Sequence, residues 1–248
     1  MKFNFKTILL SVFLFLSFLM RAQNSFDSEF ILGGGMHTRG FLLSTQYSII
    51  KDETKNITFG IDFTEIKSPK EKRITAERQA IGGTSNRSYI YGKQNNFYAL
   101  RLGAGQRIYI SEKSNKSIVA LAFAYNGGFS LGMIKPYYLD LIYRFDPDGY
   151  RVVPEKYSID NERKFLEPLD INGSSESSRG WDELTIAPGI FAKGSLFFDW
   201  GANDGFVKIL ELGMTADIYF RQIQIVIGEL RPPVFVNLYM NFYFGKRW

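Results

Sequence analysis

His37 is the only histidine in the chain, so acid–base chemistry near neutral pH has one imidazole to work with. A general base must reach its nucleophile at about 2.6 to 3.2 Å. Ser44, the nearest serine on the same face, lies several residues deeper in the next segment. A histidine that ends a strand just before Thr38-Arg39-Gly40 reads more simply as a turn residue at a rim, so His37 is a catalytic candidate without a nucleophile beside it. The absence of cysteine excludes disulfides, thiolate metal sites, iron–sulfur clusters, a cysteine nucleophile and a lipidated N-terminal cysteine. One histidine cannot build a multi-histidine metal centre, and Asp140, Asp146, Asp148 and Asp160 match no metal-loop spacing. No metal and no cofactor is expected. Gly33-Gly34-Gly35 lies inside a strand pattern with no helix after it, which suits strand packing rather than phosphate binding.

Six charged residues share a different logic. Asp62, Arg101, Arg107, Lys193, Glu211 and Asp217 all fall on the polar face of segments that alternate with a period of two. From Val234 to Gly245 the even positions are Val234, Val236, Leu238, Met240, Phe242 and Phe244. The odd ones are Phe235, Asn237, Tyr239, Asn241, Tyr243 and Gly245. The stretch from Phe206 to Arg221 repeats this, with Glu211 and Asp217 opposite Leu210, Leu212, Met214 and Ile218. Such segments occur near 29–37, 40–50, 56–66, 96–111, 117–132, 184–200, 206–221 and 233–245.

Polar turns of about five residues at 51–55, 112–116 and 201–205 alternate with long connections at 67–95, 133–183 and 222–232. An even number of strands, short turns on one side and long loops on the other form the pattern of a transmembrane barrel. In lipid an alternating β-chain can span only by closing on itself. The expected fold is all-β: a closed antiparallel up-and-down transmembrane β-barrel of eight strands. A soluble sandwich also alternates, but it has no reason to sort its loops by side. A hairpin around Asp146-Pro147-Asp148-Gly149 raises ten strands as an alternative, yet either face of its second arm would put charge into lipid, so it is placed outside the barrel. The three positive and three negative lumen residues suit a plugged interior, with Lys193 paired to Glu211. Trp200 and Trp248 fall at strand ends on the apolar face, where interfacial aromatic girdles belong.

Residues 1–22 read as a cleaved secretory signal: Lys2 and Lys6, then the apolar run Ile8 to Met20, then Arg21-Ala22 before Gln23. Without it the chain carries 27 basic and 25 acidic residues, so the net charge falls from +5 to +2 and nucleic-acid binding has little electrostatic support. The barrel domain is then 23–248, and the expected location is the cell outer membrane. The loop charges are segregated. Residues 67–95 carry a balance of +5, with Lys67, Lys70, Lys72, Arg73 and Lys93 among the basic residues, whereas 133–183 carry −4. The two loops either neutralise each other as a cap or engage partners. Those expected are outer-membrane lipid and lipopolysaccharide, or an envelope protein complex.

With the signal ending Arg21-Ala22-Gln23, the alternating strands and the terminal Phe242-Tyr243-Phe244, the chain resembles small outer-membrane barrels of Bacteroidota, the porin-family or PorT-like barrels. Lys67-Ser68-Pro69-Lys70-Glu71, Tyr91-Gly92-Lys93-Gln94-Asn95, and Ser130-Leu131-Gly132 followed by Lys135-Pro136-Tyr137-Tyr138-Leu139 look like those of one subgroup. None of these is a known catalytic signature. The resemblance implies a location and a fold, and carries over no functional residue. Three roles follow as expectations: a structural or interaction component with a plugged lumen, a small porin-like channel, or an enzyme acting on lipid A or phospholipid.

Overall fold

The computed structural model describes residues 26–52, 54–75, 87–110, 119–145, 149–200, 205–229 and 233–248. The signal segment 1–22, the turns at 112–116 and 201–204, and Asp146-Pro147-Asp148 lie outside the described residues. The strands are β1 (Ser28–His37), β2 (Gly40–Asp52), β3 (Lys55–Ile66), β4 (Lys72–Thr75), β5 (Ser88–Tyr91), β6 (Asn95–Tyr109), β7 (Ala120–Pro136), β8 (Tyr138–Phe145), β9 (Gly149–Lys156), β10 (Ile171–Ser174), β11 (Thr185–Asp199), β12 (Phe206–Tyr219) and β13 (Val234–Arg247). Among the described residues one short α-helix, α1, spans Glu162–Leu166.

Eight of these strands close into a barrel in the order β1-β13-β12-β11-β7-β6-β3-β2, each pairing with the barrel strands before and after it in the chain. The closing seam pairs β1 with β13 antiparallel from Glu29 opposite Arg247 to His37 opposite Tyr239. The expected eight-stranded meander is therefore the fold. The hairpin β8–β9 stands outside it, in a three-stranded sheet ordered β10-β8-β9, and β4 pairs with β5 as a second separate hairpin.

Period-two alternation decides which side chains enter the barrel. Each barrel strand turns large apolar residues outward: Leu32, Leu43, Phe59, Leu102, Phe129, Ile190, Met214 and Leu238 are all exposed. The intervening positions point inward, where Glu29, Asp62, Arg101, Arg107, Glu211 and Asp217 are buried. This is the inverse of a water-soluble barrel.

The interior has an apolar layer near each end. At the end holding the termini, Ile31, Tyr109, Phe197, Val207, Ile209 and Tyr243 pack together with three alanines of β7. At the opposite end, Ile66, Phe97, Ile134, Tyr219 and Phe235 enclose Ile223 and Ile225 from the connection between β12 and β13. Asp62, Arg101, Lys193, Glu211 and Asp217 lie between the two layers, whereas Glu29 and Arg107 lie at the end that holds the termini.

Closure brings backbones close at the seam. A Cβ at Gly245 would press on the Phe30 carbonyl and lie 2.8 Å from the Ile31 Cα, whereas one at Gly194 would meet nothing within 4 Å. Gly245→Val should therefore destabilise the barrel by about 1 to 3 kcal/mol. Gly194→Ala should leave stability unchanged. Urea unfolding, read by the mobility difference between heated and unheated protein on SDS gels, checks both.

Candidate functional site

Three features could carry function: the lumen, the mouth and the folded loops. In the lumen, Arg101 on β6 reaches across the bore to Asp217 on β12, Nε to Oδ1 at 2.7 Å and Nη2 to Oδ2 at 2.8 Å. Planar two-point pairing of this kind is the strongest arrangement open to an arginine and a carboxylate. Lys193 donates to Asp62 at 3.2 Å and also faces Glu211 at 3.6 Å. The β11–β12 register sets Lys193 opposite Thr215, so Glu211 lies four residues further along β12, and Asp62 is the nearer carboxylate. Glu211 accepts from Tyr239 at 2.6 Å and Ser195 at 2.8 Å, and Asp62 accepts from Ser44.

Arg107 belongs to a second cluster near the terminal end. Its Nη1 donates to Glu29 at 2.5 Å, its Nη2 to Gln46 at 3.1 Å, and its guanidinium lies 4.2 Å from the Phe197 ring centroid. Glu29 also accepts from Arg247 Nε at 2.6 Å, and Arg247 in turn pairs with Asp199. Glu29, Asp199 and Arg247 were not among the charges singled out from the sequence, although all three continue the inward alternation of their strands. They sit at strand ends, where the pattern has too few residues left to define a face.

His37 ends β1 at the mouth. Its Nε2 lies 2.8 Å from Thr64 Oγ1 and 3.0 Å from the Glu65 carbonyl, and its Nδ1 accepts the Arg39 N–H at 3.2 Å. Because a carbonyl only accepts, Nε2 carries the proton, and both ring nitrogens are occupied, Nδ1 by the β1–β2 turn and Nε2 by the end of β3. Ser44 bonds to Asp62 and sits 2.7 Å from the Tyr243 hydroxyl, well below the rim. The structure does not bring His37 and Ser44 together.

The mouth is filled by a segment that the sequence presents as a connecting loop. Ile223 and Ile225 enter the barrel, and the segment is stitched to the start of β6 by main-chain bonds from Gln94 N to Ile225 O (2.8 Å) and Ile227 N to Gly92 O (2.9 Å). The alternation Gln222-Ile223-Gln224-Ile225 is the signal that could have found it. Lys93 follows from this stitching. Rather than an exposed member of the basic loop, it is buried, pairs with Glu71 at 3.2 Å and lies over the Tyr137 ring. Burial pushes its ammonium below the usual lysine value, and the Glu71 carboxylate opposes that shift. Lys67 pairs with Glu65 at 3.2 Å. Lys70, Lys72 and Arg73 are exposed and form no ion pair among the described residues.

Above the mouth the loops fold into a cap with its own core: Tyr89 of β5, Leu139 and Leu141 of β8, Phe165 of α1 and Ile171 of β10. The cap joins the basic and acidic loops, but charge neutralisation is not what binds them. Among the described residues one ion pair crosses between them, Arg87 to Asp140 at 3.4 Å, and Arg87 is largely exposed. Surface pairs of this kind contribute about 0 to 1 kcal/mol, so burial of the five apolar side chains dominates. Tyr138 donates to Glu183 at 2.7 Å, which pushes the phenol up to about 12.

Aromatic residues lie on the outer surface at both ends. Trp200 is exposed, and Trp248 lies 6.5 Å from Tyr47 at the terminal end. At the loop end Phe63, Tyr98 and Trp181 form a continuous stack, with centroids 5.9 and 5.7 Å apart. Trp181 comes from the acidic loop, and no strand periodicity flags it.

No protein-family model matches the chain, and no curated protein matches it in sequence. Among solved structures it is similar to a major outer membrane protein from Thermus thermophilus, at 9% identity and TM-score 0.42, covering 88% of this chain and 99% of that one. It is also similar to Neisserial surface protein A, at 9% identity and TM-score 0.37 over 89% and 94% of the two chains. The N-terminal β-barrel domain of Pseudomonas aeruginosa OprF matches at 7% identity and TM-score 0.35, over 92% and 100%. These are distant likenesses, and the eight-strand closure is established by the strand pairing itself.

Breaking a buried pair leaves an uncompensated charge, at a cost of about 3 to 5 kcal/mol. Arg101→Met should lose that much stability. Arg101→Met combined with Asp217→Leu should recover most of it, because both ions are then gone. Equilibrium unfolding of the two variants checks the difference.

Proposed function

We propose that the chain is a non-conducting β-barrel of the bacterial outer membrane, exported by residues 1–22, whose folded cap serves as a structural or interaction component of the cell envelope. The carrying observation is the inverted distribution of polarity: apolar side chains on the outside of all eight strands around a paired, charged interior. Exposed to water, such a belt would far exceed the few hundred Å² of contiguous apolar surface that soluble monomers tolerate. Hydrocarbon is the solvent that matches it. A spanning strand needs about 9 to 11 residues, whereas β7 has 17 and β11 has 15. The excess at the loop end supports the cap above the bilayer. Kinship with Bacteroidota barrels is part of this proposal and rests on the motifs at 67–71, 91–95 and 130–139.

The plugged lumen favours this reading over a channel. Any conduction path would have to displace Ile223 and Ile225 at one end and separate Arg107, Glu29 and Arg247 at the other. The occupied nitrogens of His37 favour it over a lipid-modifying enzyme.

Two measurements test the proposal. Protease added to intact cells should cut within the cap while the barrel stays protected, and the protein should fractionate with outer membranes. Reconstituted into planar bilayers, the protein should give no steady conductance. Recovery in the soluble fraction, or stable open channels from the unaltered protein, would overturn it.

A further inference from the structure

The observation that the lumen and cap leave unused is a cleft of about 750 Å³ on the outer wall of the barrel, beneath the overhanging cap. Its wall side consists of Glu65 of β3, Asn96 and Tyr98 of β6 and Lys135 of β7, all on the outward-facing register of their strands. Arg73 from the β4–β5 hairpin and Arg179 from the acidic loop line the other side. Residues of 67–71, 91–95 and 135–139 all contribute to it.

Lys135 is the unusual residue. It is 4% exposed, yet no carboxylate pairs with it among the described residues. Its ammonium donates to the Ser177 carbonyl at 2.5 Å and lies 5.0 Å from the centre of the Trp181 ring. A buried cation with only neutral partners is costly and calls for a countercharge. Two of the cleft's three acidic residues are paired with cations, Glu65 with Lys67 and Glu71 with Lys93, both at 3.2 Å, whereas Glu176 is exposed and accepts from Ser178 at 3.4 Å. Among the described residues, Lys135, Arg73 and Arg179 therefore remain as three cations facing one opening against the single unpaired carboxylate of Glu176. That opening lies on the outside of the wall, level with the Phe63–Tyr98–Trp181 stack, and aromatic stacks of this kind mark the membrane–water interface.

We infer that this cleft binds a phosphate-bearing lipid headgroup of the outer leaflet, with the phosphate completing the charge on Lys135 and bridging to Arg73 and Arg179. The inference rests on the membrane reading above, since the occupant reaches the cleft from the bilayer side. It names a site that the exposed Lys72, on the same hairpin arm, and Lys70, just before it, do not share, since both lie outside the cleft.

The test is native mass spectrometry of the protein released from neutral detergent with lipid A, with dephosphorylated lipid A, or with inorganic phosphate alone. Retention of lipid A over its dephosphorylated form is expected, falling about tenfold in Lys135→Met and in Arg73→Gln/Arg179→Gln, but unchanged in Lys70→Gln and largely kept in Lys135→Arg. Each variant is first shown to fold by its heat-dependent gel mobility. Equal retention of both lipids, or no loss in either cleft variant, would overturn the inference while leaving the barrel's membrane location intact. Binding of inorganic phosphate as tight as that of lipid A would overturn the lipid as occupant and assign the site to a free anion. Failure of the unaltered protein to insert into lipid vesicles would instead overturn the membrane reading itself.

Discussion

Everything in this molecule depends on closing the first strand onto the last. Until β1 pairs with β13, both carry open edges, and within hydrocarbon an unpaired backbone group costs several kcal/mol. The side chains reinforce this closure where the chain begins and ends. Glu29 on β1 accepts from Arg247 on β13 and from Arg107 on β6, and Arg247 continues to Asp199 on β11. Four strands, far apart in sequence, are joined through one carboxylate and the arginine beside it. The pairing β1–β13 is the most non-local in the fold, and its loop-closure entropy must be met by contacts that form only once the barrel is shut.

How much of this was legible in the sequence follows from the length of each pattern. Alternation over a dozen residues defines two faces without ambiguity, which is why the eight strands and the inward placement of Asp62, Arg101, Arg107, Lys193, Glu211 and Asp217 could be read from residues alone. Where the pattern is cut short the faces blur. Glu29, Asp199 and Arg247 lie within two residues of a strand end. Which lumen charges meet was only partly legible, because partners across the bore depend on barrel shear and not on hairpin register. Arg101 and Asp217 sit on strands that do not pair with each other.

The loops show the same limit from the other side. Summed charge suggested two loops attracting each other, but summed charge carries no geometry. The residues that join them are Tyr89, Leu139, Leu141, Phe165 and Ile171, which come from four separate short elements. β5, α1 and β10 have only four or five residues, too few to display a face, and β8 alone alternates. Lys93 illustrates the cost of reading charge without burial: it sits in a basic stretch, yet it serves as an internal strut against Glu71.

A sealed bore also constrains where a ligand can be met. The six interior residues read from the sequence are all engaged with partners inside, so none of their three cations is free to hold a ligand. The cap's core is apolar and closed. What remains is the junction between the two, where the long barrel strands run on past the last layer of outward apolar residues. There the outward register that supplies Leu100 and Leu102 lower on β6 supplies Asn96 and Tyr98, and β7 supplies Lys135. One alternation thus changes character along the strand, from apolar side chains to polar ones at the junction with the cap.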